Sequence, residues 1–242
     1  MDGASPLAPD EEGGQGRHSA KTLIEFAYHT LRRDIIHGVL APGSKLRIEQ
    51  LRAQYEVGAS TLREALTLLL SDALVTAEGQ RGFRVAPVSM EDFQDITRMR
   101  KLLEGLALRE SIDAGDDAWE AGVVAAFHRL SLAEDRLDRK DRASVDAWED
   151  RNRAFHEALI AGCGSRWLHH FRGILYHQSE RYRRFSLVNR GLGRDVHAEH
   201  KGIMEAALAR DADLACALTG EHIDRTLAAV VGIQTGHPAD PD

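Results

Sequence analysis

Residues 57–66 read VGASTLREAL, and this stretch decides the fold of the amino-terminal part of the chain. Three leucines recur at helical spacing in it and just beyond it, Leu62, Leu66 and Leu69. This spacing predicts an amphipathic helix whose leucine face is buried. Two hydroxyls and a cation are then left to point outward, on Ser60, Thr61 and Arg63. The helix therefore presents a polar, cationic face to a partner.

The start of this helix can be placed from its candidate capping residues. Gly58 breaks the chain, and a side-chain hydroxyl can accept a hydrogen bond from the free N–H groups of a first helical turn. We therefore expect Ser60 or Thr61 to cap the helix. Thr61 and Glu64 also have the spacing of a capping box.

Two more helices precede this one. Apolar residues repeat at helical spacing from Ile24 to Ile35, and Gly38 ends that helix. A turn at residues 41–43 separates it from a second short helix over residues 48–55. The region thus contains three consecutive helices.

A hairpin follows the third helix. Residues 74–77 and 83–86 have the pattern of two short strands, and residues 79–82 join them with Arg81 at the tip. Three helices followed by a basic-tipped hairpin form a winged helix-turn-helix. This architecture is typical of proteins that grip duplex DNA.

Four motifs in this region resemble the amino-terminal domain of GntR-type transcriptional regulators. They are DIIxG at 34–38, PGSxL at 42–46, LREAL at 62–66 and RGFRV at 81–85, and the resemblance covers residues 21–88. It implies that the third helix lies in the major groove and that the wing tip reaches toward the minor groove. The DNA contacts that it implies are Ser60, Thr61, Arg63, Arg81 and Gly82. Many members of the family have an arginine where Ala59 stands, and we expect Arg47 to supply a backbone contact instead.

Length and composition agree with a regulator of this size. At 242 residues and 43% hydrophobic content, the chain can form one large or two modest domains. Cys163 and Cys216 lie far apart and form no CxxC pair, which favours a reducing compartment. No apolar run approaches the roughly 20 residues of a membrane span, and an acidic amino terminus argues against a signal peptide. We expect a cytoplasmic protein without a membrane partner.

The charge distribution separates the DNA-binding part from the rest. The whole chain carries a net charge of -7, whereas residues 21–88 hold nine Lys or Arg against seven Asp or Glu. The acidic remainder should restrain indiscriminate DNA binding. Residues 1–20 and 236–242 are rich in Gly, Pro and acids and are predicted to be disordered tails.

Residues 89–235 are helical in pattern throughout. Ser89 is a candidate N-cap, and the periodicity predicts six helices, at about 90–112, 116–139, 143–162, 167–186 and 195–210, and from a turn at 211–213 to about 232. Short connections favour an antiparallel bundle. The predicted fold class is therefore mainly α, with a winged helix-turn-helix followed by an all-α antiparallel helical bundle.

Four side chains of the bundle can converge. Asn152 and His156 lie four residues apart, hence on one helix face. His200 and His222 each lie 11 residues from Asp211, so they end level with each other across the hairpin that it closes. Three imidazoles and an amide oxygen suit a divalent metal ion such as Zn, Ni or Mn. A buried histidine taken alone is more often a packed or hydrogen-bonded core residue.

The same residues resemble a second domain, the FCD effector-binding domain that accompanies this type of winged helix. The motifs are NRAFH at 152–156, EHxxI at 199–203 and His222. In that domain an Asp or Asn and three His bind a divalent metal, and small carboxylate effectors bind at or beside it. The resemblance thus implies the ligand set Asn152, His156, His200 and His222, with an amide in place of the commoner carboxylate.

Arginines near this site have two possible roles. Arg100 can clamp the carboxylate of an effector, as a planar guanidinium does well, or it can pair with Glu104 one helical turn away. One arginine of the run at 180–184 can also reach the pocket, although we expect most of that run to be a solvated helix face.

Three classes of function compete for this sequence. A nucleic-acid-binding module without an effector needs only residues 21–88 and leaves some 150 residues unexplained. A metal-dependent hydrolase would use the same histidines, but no HExxH motif is present and no Glu is evidently placed as a general base. A metabolite-responsive transcriptional regulator, most simply a repressor, uses both the winged helix and the 150 or so residues that follow. We expect it to bind a pseudo-palindromic operator as a homodimer joined through the helical domain.

Overall fold

The computed structural model describes residues 23–79, 82–189 and 194–235. The predicted tails at 1–20 and 236–242 lie outside this part of the chain. The amino-terminal elements are α1 (Leu23–Ile36), β1 (Lys45–Leu46), α2 (Ile48–Tyr55), α3 (Ala59–Ser71), β2 (Val75–Ala77) and β3 (Phe83–Val85). They form the predicted winged helix-turn-helix.

One compact apolar core holds this unit together. Leu31 and Ile35 of α1 pack with Leu62, Leu66 and Leu69 of α3, and all five side chains are buried. These are the residues whose helical spacing predicted the two helices. Their burial fixes which face of α3 remains outside, because the opposite face of the same helix is then left to the solvent.

The sheet has three antiparallel strands in the order β1-β3-β2, one more than the sequence predicted. β3 is central, with Leu46 opposite Phe83 on one side and Thr76 opposite Arg84 on the other. β1 contains only two residues directly after a turn, too few for an alternating pattern to be read. Its pairing ties the segment before α2 to the base of the wing.

The predicted cap of α3 is wrong. The helix begins at Ala59, and Gly58 occupies the N-cap position with extended backbone and no side-chain cap hydrogen bond. Ser60 and Thr61 therefore lie inside the first turn, where their hydroxyls are not used as caps. They remain on the outer side of the helix, with Ser60 exposed and Thr61 half-buried.

Six helices make up the second part of the chain, within the residues described. They are α4 (Met90–Ala114), α5 (Asp117–Asp135), α6 (Arg142–Leu159), α7 (Arg166–Asn189), α8 (Val196–Leu208) and α9 (Ala212–Thr235). The Ser89 side chain accepts a hydrogen bond from the Asp92 N–H (3.1 Å), which confirms Ser89 as the N-cap of α4. Nowhere in the described ranges is a helix long and apolar enough to cross a membrane.

Two predicted boundaries in this bundle are wrong. α5 ends at Asp135 rather than near residue 139, because Asp138 accepts a hydrogen bond from the Lys140 N–H (2.9 Å) and forms a turn. The turn between α8 and α9 centres on Arg210, which has a positive φ of 60°, and Asp211 caps α9. The two helices still form a tight hairpin, as the histidine placement required.

The bundle has one main core. α4 packs along α9 and α7, α5 packs against α6, and α8 packs on α9. Large buried side chains from α5 and α6, among them Trp119, Leu130, Trp148 and Phe155, form the centre of this core. The bundle arrangement brings the inner faces of α6, α7, α8 and α9 together around one buried site.

α7 also contacts the winged helix. Arg32 of α1 pairs with Glu180 of α7 (3.1 Å). Gln178 donates a hydrogen bond to the carbonyl oxygen of Asp72, the residue that ends α3 (2.7 Å). One helix of the bundle is thus attached directly to the helix that carries the outward polar face.

Candidate metal centre and nucleic-acid interface

Three of the predicted DNA-contacting residues are exposed. Arg47 is the N-cap of α2, Ser60 lies in the first turn of α3, and Arg63 lies in the second. Gly82 lies directly before β3 and has a φ of 101°, a value that favours glycine. Arg81 lies outside the described residues.

Arg84 fixes the base of the wing and was not singled out from the sequence. Its Nε donates to the Glu78 carboxylate (2.7 Å), and its Nη1 donates to the carbonyl oxygen of Gly43 (2.6 Å). These bonds join the wing to the turn before α2. The RGFRV motif contains Arg84, but its contacts depend on the three-stranded pairing that the sequence did not show.

Three histidines meet in the interior of the helical bundle. His156 of α6, His200 of α8 and His222 of α9 are all buried. Their ring centroids are 5.5 Å apart for His156 and His200, 5.3 Å for His156 and His222, and 4.8 Å for His200 and His222. One ring nitrogen from each lies within 4.8 Å of the others, a spacing that a single metal ion can bridge.

Two of the four predicted ligands carry a buried polar atom without a hydrogen-bond partner. The Asn152 Nδ2 donates to the Tyr176 hydroxyl (3.0 Å), which leaves Asn152 Oδ1 buried without a hydrogen-bond partner. Nε2 of His200 is likewise buried and unpartnered. A buried acceptor without a partner is costly, and metal coordination removes that cost. Asn152, His156, His200 and His222 therefore fit a divalent cation.

Two carboxylates orient the histidines. Glu134 of α5 lies 3.1 Å from Nδ1 of His200, and Glu199 of α8 lies 2.8 Å from Nδ1 of His222. A carboxylate accepts, so each Nδ1 carries the proton and each Nε2 presents its lone pair to the centre. Sequence reasoning missed both acids. Glu199 stands beside His200 in the EHxxI motif but orients the other histidine, and nothing in the sequence pointed to Glu134.

Electrostatics keep the imidazoles in the neutral, ligating form. Burial lowers the pKa of His156 and His222 well below the ordinary value, and neighbouring histidines and arginines lower it further. Burial also lowers the pKa of His200, although Glu134 opposes this shift. Neutral imidazole is the form that binds a metal ion.

Arg100 pairs with Glu104, which is one of the two roles that the sequence allowed for it. Its Nη2 and Nε lie 2.6 and 2.8 Å from Oε1 of Glu104, and its Nη1 donates to Ser179 (2.8 Å). Burial alone would raise the pKa of Glu104, but Arg100 and then Arg172 bring it below the usual value. Arg100 thus borders the site while already bound to a carboxylate.

The run at 180–184 is not the solvated face that the sequence suggested. Glu180, Arg181, Tyr182 and Arg183 are all buried. α7 lies between the winged helix and the bundle, so both of its faces are covered. Arg183 does reach the site, where it pairs with Glu149 (2.7 Å).

Comparisons with known proteins agree with this architecture. Residues 23–85 match the gntR family of bacterial regulatory proteins, and residues 95–225 match the FCD domain. An uncharacterized HTH-type transcriptional regulator, BphR of Paraburkholderia xenovorans, is 45% identical over 88% of this chain and 86% of its own length. The HTH-type transcriptional repressor GlaR of Escherichia coli is 38% identical over 81% of this chain and 90% of its own length.

A solved structure has the same fold. Escherichia coli McbR/YncC superposes with a TM-score of 0.74 at 19% identity, over 88% of this chain and 99% of that chain.

The chain is a DNA-binding transcriptional regulator with an amino-terminal winged helix and a helical FCD domain. It belongs to the GntR family. The relatives are transcriptional regulators, so the hydrolase alternative has no support among them.

Proposed function

We propose that this protein is a repressor whose operator affinity falls when a small carboxylate metabolite binds at a metal centre in the helical domain. The observation that carries the proposal is the pair of buried, unpartnered ligand atoms on Asn152 and His200, which lie beside His156 and His222. A relative of 38% identity, GlaR, is a repressor, which supports repression rather than activation by this protein.

Asn152, His156, His200 and His222 would hold the divalent ion, with Zn, Ni or Mn as candidates. When bound, the ion supplies a Lewis acid that attracts an anionic oxygen. The chain itself supplies three neutral imidazoles and one amide oxygen, none of which carries negative charge. This donor set leaves the charge of the ion to be balanced by an anionic metabolite.

On the DNA side, we propose that two chains bind one operator. A single recognition helix reads only a few base pairs, so a two-fold protein on a pseudo-palindromic site gains both affinity and specificity. α3 presents Ser60, Thr61 and Arg63 to the major groove, while Arg47 and the wing residues Arg81 and Gly82 contact the backbone and the minor groove.

Sedimentation of the protein with an operator fragment selected from random DNA tests this arrangement. We expect two chains per fragment and a pseudo-palindromic consensus, because each half-site matches one protomer. Adding carboxylates to the metal-loaded complex should release the DNA for at least one of them. A monomer bound tightly to a single half-site, or an affinity that no acid changes, would overturn the proposal.

α7 offers a direct route from the metal centre to the DNA. One face of the helix turns Tyr176, Ser179 and Arg183 toward the site. The other face holds the winged helix through Gln178 and through Arg181, whose Nη2 donates to the carbonyl oxygen of Ala86 (2.7 Å). A ligand that rotates α7 therefore moves the end of α3.

α4 gives a second link through its first turn. The Tyr182 hydroxyl of α7 accepts from the Ser89 N–H (3.2 Å) and donates to the Asp92 carboxylate (2.9 Å). Ser89 lies four residues after the end of β3, so a movement of α7 is also passed to the start of α4. A metabolite shifts this equilibrium only by its different affinities for the two arrangements.

The variant Gln178→Ala tests whether α7 transmits the signal to α3 separately from its contacts with the metal site. Gln178 bonds the end of α3 but lies on the face away from the histidines, so metabolite binding should be unchanged. We expect the drop in operator affinity caused by the most effective carboxylate to shrink severalfold, because one hydrogen bond of about 0.5–1.5 kcal/mol leaves the linkage. Fluorescence anisotropy with and without that acid measures the effect.

Gln94→Ala is the matched control, since Gln94 is an exposed glutamine on α4. It should respond to the acid as the wild type does. A full response in Gln178→Ala would mean that α7 does not transmit the signal through this contact.

A further inference from the structure

Among the residues that the structure describes, five buried charged groups lie at the ring of Tyr176 or pair with one another beside it. They are the guanidinium groups of Arg100, Arg172 and Arg183 and the carboxylates of Glu104 and Glu149, each at most 5% exposed. The three guanidinium carbons lie 5.0, 4.8 and 4.7 Å from the centre of the Tyr176 ring. Positive charge therefore exceeds negative charge by one in this group.

The excess charge can be assigned to one residue. Glu104 is hydrogen-bonded to Arg100, and Glu149 forms a two-pronged contact with Arg183. Arg172 is 3% exposed, and its Nε and Nη2 have no hydrogen-bond partner. Two buried N–H donors without a hydrogen-bond partner are costly, and a planar carboxylate is the group that satisfies both at once.

Arg172 and the metal centre both lie close to the Tyr176 ring. The Tyr176 ring centre is 6.1 Å from that of His156 and 4.8 Å from the Arg172 guanidinium carbon. The Tyr176 hydroxyl bonds Asn152, so the ring connects the two places. Both carry unbalanced positive charge when a divalent ion is held, since none of its four ligands is negative.

We propose that Arg172 binds a second acidic group of the effector, so that the effector is a short dicarboxylate with one carboxylate at the histidine cluster and the other on Arg172. This inference rests on the proposed function. Each of the two buried positive centres is neutralised by one acid of such a molecule. A monocarboxylate of equal length leaves the buried donors of Arg172 without an acceptor. The protein should therefore bind the dicarboxylate more tightly than the monocarboxylate.

The test compares linear α,ω-dicarboxylates with the monocarboxylates of equal chain length. Metal-loaded wild-type protein should bind the best dicarboxylate at least about tenfold more tightly than its monocarboxylate counterpart, as measured by calorimetry. Arg172→Met should remove that preference by weakening dicarboxylate binding about tenfold or more, with little effect on the monocarboxylate. Arg166→Met, an exposed arginine on the same helix, should keep it.

A thermal melt of the ligand-free variants separates recognition from a structural role. Removing an unpaired buried charge should leave the melting temperature of Arg172→Met equal to or above that of the wild type. A lower melting temperature would show that Arg172 stabilises the fold, against the inference.

The outcomes distinguish this inference from the proposed function. Monocarboxylates that bind the wild type as tightly as dicarboxylates, and that still release operator DNA, would show that the effector needs no second acidic group. The proposed function would then still stand. Unchanged dicarboxylate binding by Arg172→Met removes Arg172 from recognition. If no acid of either kind binds the metal-loaded wild type, the proposed function fails and the dicarboxylate fails with it.

Discussion

His200→Ala is expected to lose the metal and the response to the carboxylate while keeping most of its basal DNA binding. His200 is fully buried, its Nε2 has no partner, and Glu134 holds its Nδ1 in the orientation that coordination needs. Loss of a group that only orients a ligand costs about 10- to 100-fold in metal affinity, so loss of the ligand itself should cost at least about 100-fold. α3 lies in the other domain, with its own core.

His197→Ala is the matched control for this variant. His197 bonds the same Glu134 carboxylate (2.8 Å) but is exposed and lies outside the cluster. Elemental analysis and operator anisotropy should show normal metal content and a normal response for His197→Ala. A His200→Ala protein that keeps its metal, or that still responds to the acid, would contradict the assignment of His200 as a metal ligand of the effector site.

Arg63→Ala is expected to weaken operator binding strongly with no change in metal content. Arg63 is exposed on α3, whose opposite face is fixed by Leu62 and Leu66. A base-edge contact is worth about 1–3 kcal/mol, which is roughly 5- to 150-fold in affinity and specific to one base pair. A phosphate contact would instead weaken binding to all sequences and make the salt dependence shallower.

Titrations at several salt concentrations on the operator and on point variants of it separate the two cases. Arg129→Ala, which removes an exposed arginine from α5 in the helical domain, is the control for net charge and should bind as the wild type does. Unchanged affinity of a folded Arg63→Ala protein would remove α3 from the DNA interface.

Periodicity predicted most of the fold because the information is local. The leucines of α3 and the apolar residues of α1 repeat at helical spacing, and the core that they form is the one in the structure. The level placement of His200 and His222 followed from their equal distances to Asp211, and the close approach of their rings agrees with it. The family resemblance, confirmed by the matched domains, connected these residues to Asn152 and His156.

The parts that could not be predicted depend on contacts between distant segments. β1 exists only because two residues pair with β3. Glu134 reaches His200 across 66 positions of the chain, and Gln178 reaches Asp72 across 106. The unpartnered donors of Arg172 can be recognised only when the structure shows that Glu104 and Glu149 bind other arginines. Such relations are properties of the packed bundle.

Operator affinity before and after metal removal, in one preparation and at one carboxylate concentration, tests the central claim most directly. The protein should contain about one divalent ion per chain when purified without chelators, and the most effective carboxylate should lower its operator affinity. Chelation should abolish that drop, and added metal should restore it. A drop of the same size in metal-free protein would show that the cluster of Asn152, His156, His200 and His222 does not control DNA binding.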